Sequence, residues 1–391
     1  MKEQDCAVDI DSEKEIQTIP QLTQPLLNWF WSRRRELPWR VERKTAAKNA
    51  KVNPYTVWLS EIMLQQTRAV AVIPYYERFI KELPDVKALA NAPEDLLLKL
   101  WEGLGYYSRV RNLQKAARQI VDVYDGHMPE NKKELQKLSG IGAYTAGAIA
   151  SIAFEECVPA VDGNVLRVLS RLRMDARDIS VQKTKNAIEE ELTVFMETER
   201  REGHLEHPGD FNQALMDLGA EVCVPNGMPK CDLCPLSEIC KAHGAAVSGK
   251  DRQETDYPVK RPAKARRVEY KTVLVLRDRT HVMIRKRPKE GLLAGLYELP
   301  WLEGTKSAQE VLANLNRSGV HVLQIEELPS SKHIFSHIEW YMRGFLVWLD
   351  ELEKLPCAEG ELFVSPMETR KEYAIPSAFK AYKEALFAEY P

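Results

Sequence analysis

The chain has 391 residues, 44% hydrophobic and 29% charged, with 55 basic side chains against 57 acidic ones and a net charge of −2 at pH 7. That length supports two or three domains with buried cores, and the composition is that of a folded globular protein. It excludes a membrane span, since no apolar run approaches roughly 20 residues, and it shows no overall basic excess, although a local basic face suffices for nucleic acid. The opening MKEQDCAVDIDSEKE is acidic and lacks the apolar core of a signal peptide, so residues 1–20 read as a polar tail and the chain is expected in the cytoplasm.

From Gln21 the pattern turns helical, with Leu26, Leu27, Phe30 and Trp31 on one face, and Leu37-Pro38-Trp39-Arg40 ends that helix. Residues 41–53, rich in Lys, Asn and Ala, read as a loop, and Pro54 suits the first position of a helix running to about Gln66. Segments near 70–82, 93–101, 108–124 and 131–138 carry apolar residues at helical spacing, so the first two-thirds is expected to be all-α. Residues 245–268, polar with two prolines and a basic end, predict a linker. Beyond it Tyr270 to Leu276, His281 to Arg287 and Ile334 to Leu349 read as strands. Helices near Ser307 to Arg317 and Pro376 to Glu389 complete a small α/β domain over 269–391.

The stretch from Leu138 to Leu172 carries the densest signals. Gly140 and Gly142 flank Ile141, allowing a tight turn and close approach of a partner to the backbone. The apolar run that follows is long enough for a buried helix, whose first unpaired N–H groups suit a phosphate. Val161-Asp162-Gly163-Asn164 then places a carboxylate at the mouth of the next helix. There its anion should be favoured and its pKa lowered. Glu61 lies among Trp58, Leu59, Ile62, Met63 and Leu64, where desolvation should raise its pKa towards that of a general acid. Each residue alone reads equally as a solvated helix face or an ordinary N-cap. Together they are two carboxylates whose surroundings push their pKa values apart, the arrangement used at glycosidic bonds.

Four of the seven cysteines cluster as Cys223-x7-Cys231-x2-Cys234-x5-Cys240, which favours metal over disulfides. A zinc ribbon normally shows two short knuckles, and only one Cys-x2-Cys is present. Four thiolates with one tight pair also fit a [4Fe–4S] cluster, with zinc as the alternative.

SEIMLQQT, WEGLGYYSRVRNL, LSGIGAYTAGAIASIAF, VDGNV and the four cysteines, in that order, resemble the MutY-family adenine glycosylases of the helix-hairpin-helix superfamily. The resemblance implies an all-α glycosylase domain over 21–244 with a [4Fe–4S] cluster loop, one residue longer in its first gap than the family's x6. It implies that Glu61 protonates the departing adenine at N7, that Asp162 stabilises the oxocarbenium-like sugar, and that Tyr144 and Asn164 position both carboxylates and the water. Bifunctional lyases of the superfamily place a lysine where this chain has Tyr144, so a monofunctional enzyme is expected. Trp39 and Arg40 resemble base-pocket residues, and Glu206 a further polar contact. Gln66, Thr67 and Leu104-Gly105-Tyr106 look like the wedge that enters the duplex as the base leaves the stack, with Gly140 and Gly142 at the phosphate backbone.

VMIRKRPKEGLLAGLYELP resembles the Nudix-like module that ends MutY proteins. Asn316 and Arg317, before Gly319-Val320, stand where a Nudix hydrolase has paired glutamates, so metal-dependent hydrolysis is not expected there. Phe335-Ser336-His337 matches the family's loop for reading 8-oxoguanine. The implied partner is duplex DNA with adenine opposite 8-oxoguanine or guanine, bound by a monomer near the nucleoid without a membrane. An endonuclease III-like lyase and a catalytically silent DNA sensor are the competing readings.

Overall fold

The computed structural model describes residues 22–40, 52–249, 253–262, 265–317, 319, 321–352, 355 and 358–390. The expected tail over 1–20, most of the 41–53 loop, Val320, Cys6 and Cys357 lie outside the described residues. The chain divides into two compact units, Met1–Ala90 with Asn112–Pro262, and Asn91–Arg111 with Ala263–Pro391. No helix among the described residues is long and apolar enough to cross a membrane.

The described residues of the first unit form helices α1 (Thr23–Arg33), α2 (Pro54–Leu64), α3 (Ala69–Glu82), α4 (Val86–Asn91, whose last residue passes to the second unit), α6 (Ser108–Val123, entered from the second unit), α7 (Lys132–Leu135), α8 (Ala143–Phe154), α9 (Gly163–Arg173), α10 (Gln182–Arg201), α11 (Pro208–Glu221) and α12 (Lys241–Val247). Leu26, Leu27 and Phe30 of α1 are buried, whereas Trp31, expected on the same face, is 40% exposed and donates its indole N–H to Asp210. One residue beyond Phe30 turns the side chain about 100° off the buried stripe. A core of Leu26, Phe30, Leu169, Phe195, Phe211 and Leu215 joins α1, α9, α10 and α11. α8 packs on α2 and α11, and α9 on α11, so four helices converge at one end of the cavity described below.

The stretch expected as a linker belongs mostly to this unit. Tyr257 is 3% exposed and its carbonyl accepts from Arg171, while Val259 O accepts from Ile179 N.

In the second unit, α5 (Glu94–Leu100) and its flanking turns join a seven-stranded sheet. Lys99 Nζ donates to the carbonyls of Thr369 and Tyr373, and Arg111 to that of Ala294, hydrogen bonds that join Asn91–Arg111 to this unit. The strands are β1 (Arg267–Arg277), β2 (Val282–Lys286), β3 (Tyr297–Glu298), β4 (Trp301–Glu303), β5 (Val322–Ile334), β6 (Ile338–Leu349) and β7 (Glu361–Val364). The order is β3-β2-β1-β6-β5, with β4 paired to β1 and β7 to β2; β1 and β6 run parallel and the other pairs antiparallel. Helix α13 (Ala308–Arg317) buries Val311 and Leu315 against one face of the sheet, and Phe379 and Tyr382 cover the other; α14 spans Pro366–Lys371.

Two expectations change here. Ile334 ends β5 and does not begin β6; Phe335-Ser336-His337 is the turn between them. The expected last helix is a pair of 3₁₀ turns, Ser377–Tyr382 and Glu384–Phe387. Side chains three apart eclipse in a 3₁₀ turn, which lets Phe379 and Tyr382 enter the same core together.

Candidate active site

A cavity of about 1400 Å³ opens in the first unit and is lined by Trp39, Arg40, Glu61, Gln66, Thr67, Tyr144, Asp162 and Asn164 among others. Eight of the residues singled out in the sequence therefore meet in one place.

α2 starts on Asn53, whose side chain accepts from Tyr55 N, with Pro54 next. Apolar residues surround the helix almost completely, so Glu61 is only 6% exposed. Burial, the largest cause, pushes its carboxyl up to about 7; the Tyr144 hydroxyl and the charge of Arg40 pull it down, and Asp162 adds to the rise. Tyr144 stands in the first turn of α8 and donates to Glu61 Oε2 at 2.5 Å. Its own pKa lies well above the usual value, so the group stays a donor.

Asp162 is the N-cap of α9: Oδ1 accepts from Asn164 N and Val165 N at 2.8 Å each, and Oδ2 from Asn164 Nδ2 at 2.7 Å. The expected depression of its pKa is overturned. Asp162 keeps some surface towards the cavity but is enclosed by its walls, and that burial raises the pKa despite the three donors and the charge of Arg167. Arg167, 5% exposed, was not found from the sequence. It donates to Asn164 Oδ1 at 2.9 Å, Gly219 O at 2.7 Å and Cys223 O at 2.8 Å, fixing the amide that holds Asp162. An arginine as the fifth residue of α9, between Leu166 and Val168, was the one available signal.

Of the other residues singled out, Trp39, Arg40, Gln66 and Thr67 line the cavity and the rest lie elsewhere. Trp39 is 7% exposed and meets Tyr76 edge-on at 5.2 Å, yet still contributes to the cavity wall. Gln66 is exposed with φ +58, a backbone state that holds its side chain out. Gly140 (φ +75) turns the chain against Asn112, and Gly142 is the N-cap of α8 with open space where a side chain would be. Neither glycine lines the cavity. Glu206 does not line it either: its side chain is 88% exposed.

Leu104, Gly105 and Tyr106 fall in the second unit. Within the expected wedge of Gln66, Thr67 and Leu104-Gly105-Tyr106, the Leu104 side chain is packed, only 7% exposed. Tyr106 is 47% exposed at φ +47, and its hydroxyl lies 3.2 Å from Ser336 Oγ. Phe335 meets Trp340 at 4.8 Å and anchors its turn, whereas Ser336 and His337 are exposed. Phe335 is thus the packed foot of this turn.

Cys223, Cys231, Cys234 and Cys240 surround a second, small cavity with Arg171, His243 and Glu254. Lys230 N donates to Val222 O and closes the base of the long first gap, leaving Met228 65% exposed at its tip, so the extra residue sits in a surface loop. Burial pushes three of these thiols up, Cys231 to about 12, Cys234 to about 11, and Cys240 with them, so forming thiolates there calls for a cation. Ligands around one zinc would lie about 3.8 Å apart. Among the described residues no three of these sulfurs lie within 4.8 Å of one another, whereas Cys231 is gathered within that distance with His243 and Glu254. The His243–Glu254 contact of 2.8 Å beside Cys231 was not legible in the sequence.

The family model of HhH-GPD superfamily base excision DNA repair proteins matches residues 59–194, and that of the NUDIX domain matches 272–385. Mouse adenine DNA glycosylase is 36% identical over 370 residues, covering 83% of this chain and 70% of its own. The adenine DNA glycosylase of Buchnera aphidicola (subsp. Baizongia pistaciae) is 32% identical over 333 residues, covering 84% and 86%. Among solved structures, a thermostable thymine-DNA glycosylase is 25% identical with a TM-score of 0.47, covering 60% of this chain and 97% of its own. A non-covalent endonuclease III–DNA complex is 24% identical with a TM-score of 0.46, covering 60% and 99%.

Proposed function

The chain belongs to the adenine DNA glycosylase family, and from that premise we propose that it hydrolyses the N-glycosidic bond of adenine opposite 8-oxoguanine or guanine in duplex DNA, leaving an abasic site and an unbroken backbone. The observation that carries this reading is the buried Glu61, near half-protonation at neutral pH, in one cavity with Asp162.

Adenine leaves poorly as an anion, so a proton must reach it as the bond breaks. Tyr144 occupies Oε2 of Glu61 and leaves Oε1 to carry the proton towards N7. Asp162 as the anion offsets the positive charge that develops on the sugar. Its raised pKa means the anion is held at a cost, relieved as the cationic sugar forms beside it. Asn164 and Arg167 keep its carboxylate aimed. The entrance to α8 offers unpaired N–H groups to a backbone phosphate, and Arg34 and Arg68 bring positive charge to the cavity wall beside Arg35 and Arg40, which pair with Asp217. Tyr144 in place of an amine, with no lysine lining the cavity among the described residues, supports a monofunctional reaction.

Cys223, Cys231, Cys234 and Cys240 hold a [4Fe–4S] cluster in this reading. Bound there, the cluster supplies coordinate bonds that lock its loop in place. Ser336 and His337, with Tyr106, read the base opposite the adenine.

Glu61→Gln and Asp162→Asn keep the shape of each side chain. Each should bind mispaired duplex as the parent does while single-turnover release of free adenine falls by roughly 10²–10⁴-fold. Release within about threefold of the parent rate in either variant would remove that residue from the chemistry.

A further inference from the structure

Behind Arg40 lies a carboxylate that the mechanism above does not use. Asp217, on α11, is 1% exposed, and two arginines share it. Arg40 donates to Oδ2 from Nη1 at 2.7 Å and to Oδ1 from Nη2 at 3.0 Å; Arg35 donates to Oδ1 from Nε at 3.0 Å and also from Nη2. Glu221 lies 3.5 Å from Arg35 Nε. The Arg40 guanidinium rests over the Phe30 ring at 5.6 Å, and a planar fork held on both oxygens of one carboxylate has one orientation.

Arg40 and Glu61 line the same cavity, and the positive charge of Arg40 favours the anion of Glu61. The other groups acting on Glu61 are Tyr144 from α8, which donates to it, and Asp162 at the head of α9, which opposes its ionisation. α3, packed on the same helix, brings Arg68 at its N-cap; Arg34 and Arg35 follow α1, and Asp210 of α11 stands on the same wall. Among the described residues, Asp217 is the carboxylate that pairs with Arg40, whose Nη1 also reaches Arg35 O at 3.4 Å.

We propose that Asp217 is a positioning residue: it neutralises and fixes Arg40, and so sets the pH range over which Glu61 can deliver its proton. This rests on Glu61 being the acid of the proposed reaction. Without the charge of Asp217, Arg40 presents an unbalanced cation to the cavity. The Glu61 anion is then favoured, and the alkaline limb of base release moves to lower pH.

The test uses the cluster-loaded full chain labelled with ¹³C at glutamate Cδ. The Glu61 resonance is assigned by its loss in Glu61→Gln, its titration midpoint is read by NMR, and the pH profile of single-turnover adenine release is measured in parallel. Asp217→Asn should lower both the midpoint and the alkaline limb by roughly half a unit to one unit. Adding Arg35→Gln restores the charge count of the wall and should return both towards the parent. A folded Asp217→Asn with an unmoved midpoint overturns the proposal, as does a double variant shifted as far as the single one. Should Asp217→Asn not fold, Arg40→Gln decides: the midpoint must rise above about 7, and an unchanged value overturns the role of Arg40 and Asp217 together. If the parent releases no adenine while the midpoints move as expected, the reading of the substrate fails and the role of Asp217 stands.

Discussion

Glu61 and Asp162 share one cavity, and burial pushes both carboxyls towards the protonated form. What separates them is the set of groups on each. Glu61 receives one hydroxyl donor, so its neutral form persists; Asp162 receives two backbone N–H groups and an amide, which suit an anion. The sequence made the neighbours of Glu61 legible because they are contiguous on its own helix. It did not make the enclosure of Asp162 legible, because those walls come from other helices. The role of Asp217 was hidden for the same reason: within LMDLGAE it reads as a polar helix face, and only the fold brings Arg35 and Arg40 to it. A stability prediction follows from Glu61. Its pKa rises from an ordinary 4.5 to about 7 on folding, so the folded state holds the proton to higher pH. The stability this contributes is complete below about 4.5 and is lost as pH rises through about 7. Glu61→Gln removes that loss. Chemical denaturation should find it more stable than the parent by roughly 2–3 kcal/mol near pH 8, with the advantage shrinking towards pH 5. An advantage independent of pH would place its origin elsewhere.

At the scale of elements, the helices with strong apolar periodicity were legible: α3, α5 and α6 lie close to where spacing puts them. β5 was not. It is an edge strand, mostly exposed, with Glu, Ser and Lys along it and a register shift around Pro329, which an edge tolerates and a central strand does not. The short α4 falls below the length at which a period can be seen, α7 covers only part of the segment expected over 131–138, and the terminal 3₁₀ turns share their spacing with a helix. The junction of α9 and α11 is where packing reaches the chemistry most directly. A Cβ on Gly219 would lie 2.6 Å from Asn164 Cβ, on the residue that holds Asp162. Gly219→Ala should therefore slow adenine release by about tenfold or more with DNA binding intact, since a displaced Asn164 misdirects the carboxylate. Single-turnover rates check this, and a parent-like rate in the folded variant would mean that Asn164 does not position Asp162.

For the whole molecule, two units divide the work that the proposed reaction needs. The helical unit holds the cavity, its two carboxylates and the cysteine loop; the sheet unit carries Tyr106, Ser336 and His337. The division itself was legible as a change of texture after the cysteines. Its boundary was not, because residues 253–259 dock on the helical unit through backbone hydrogen bonds that polar composition does not reveal. Nor were the hydrogen bonds by which Lys99 and Arg111 reach carbonyls far away in sequence. The central claim is that this enzyme removes adenine by acid catalysis and leaves the strand intact. It is tested most directly by single-turnover incubation with a duplex carrying one adenine opposite 8-oxoguanine, divided into portions with and without hot alkali. Strand breakage at the adenine only after alkali is the predicted result. Breakage without alkali, or no breakage in either portion, would contradict the account.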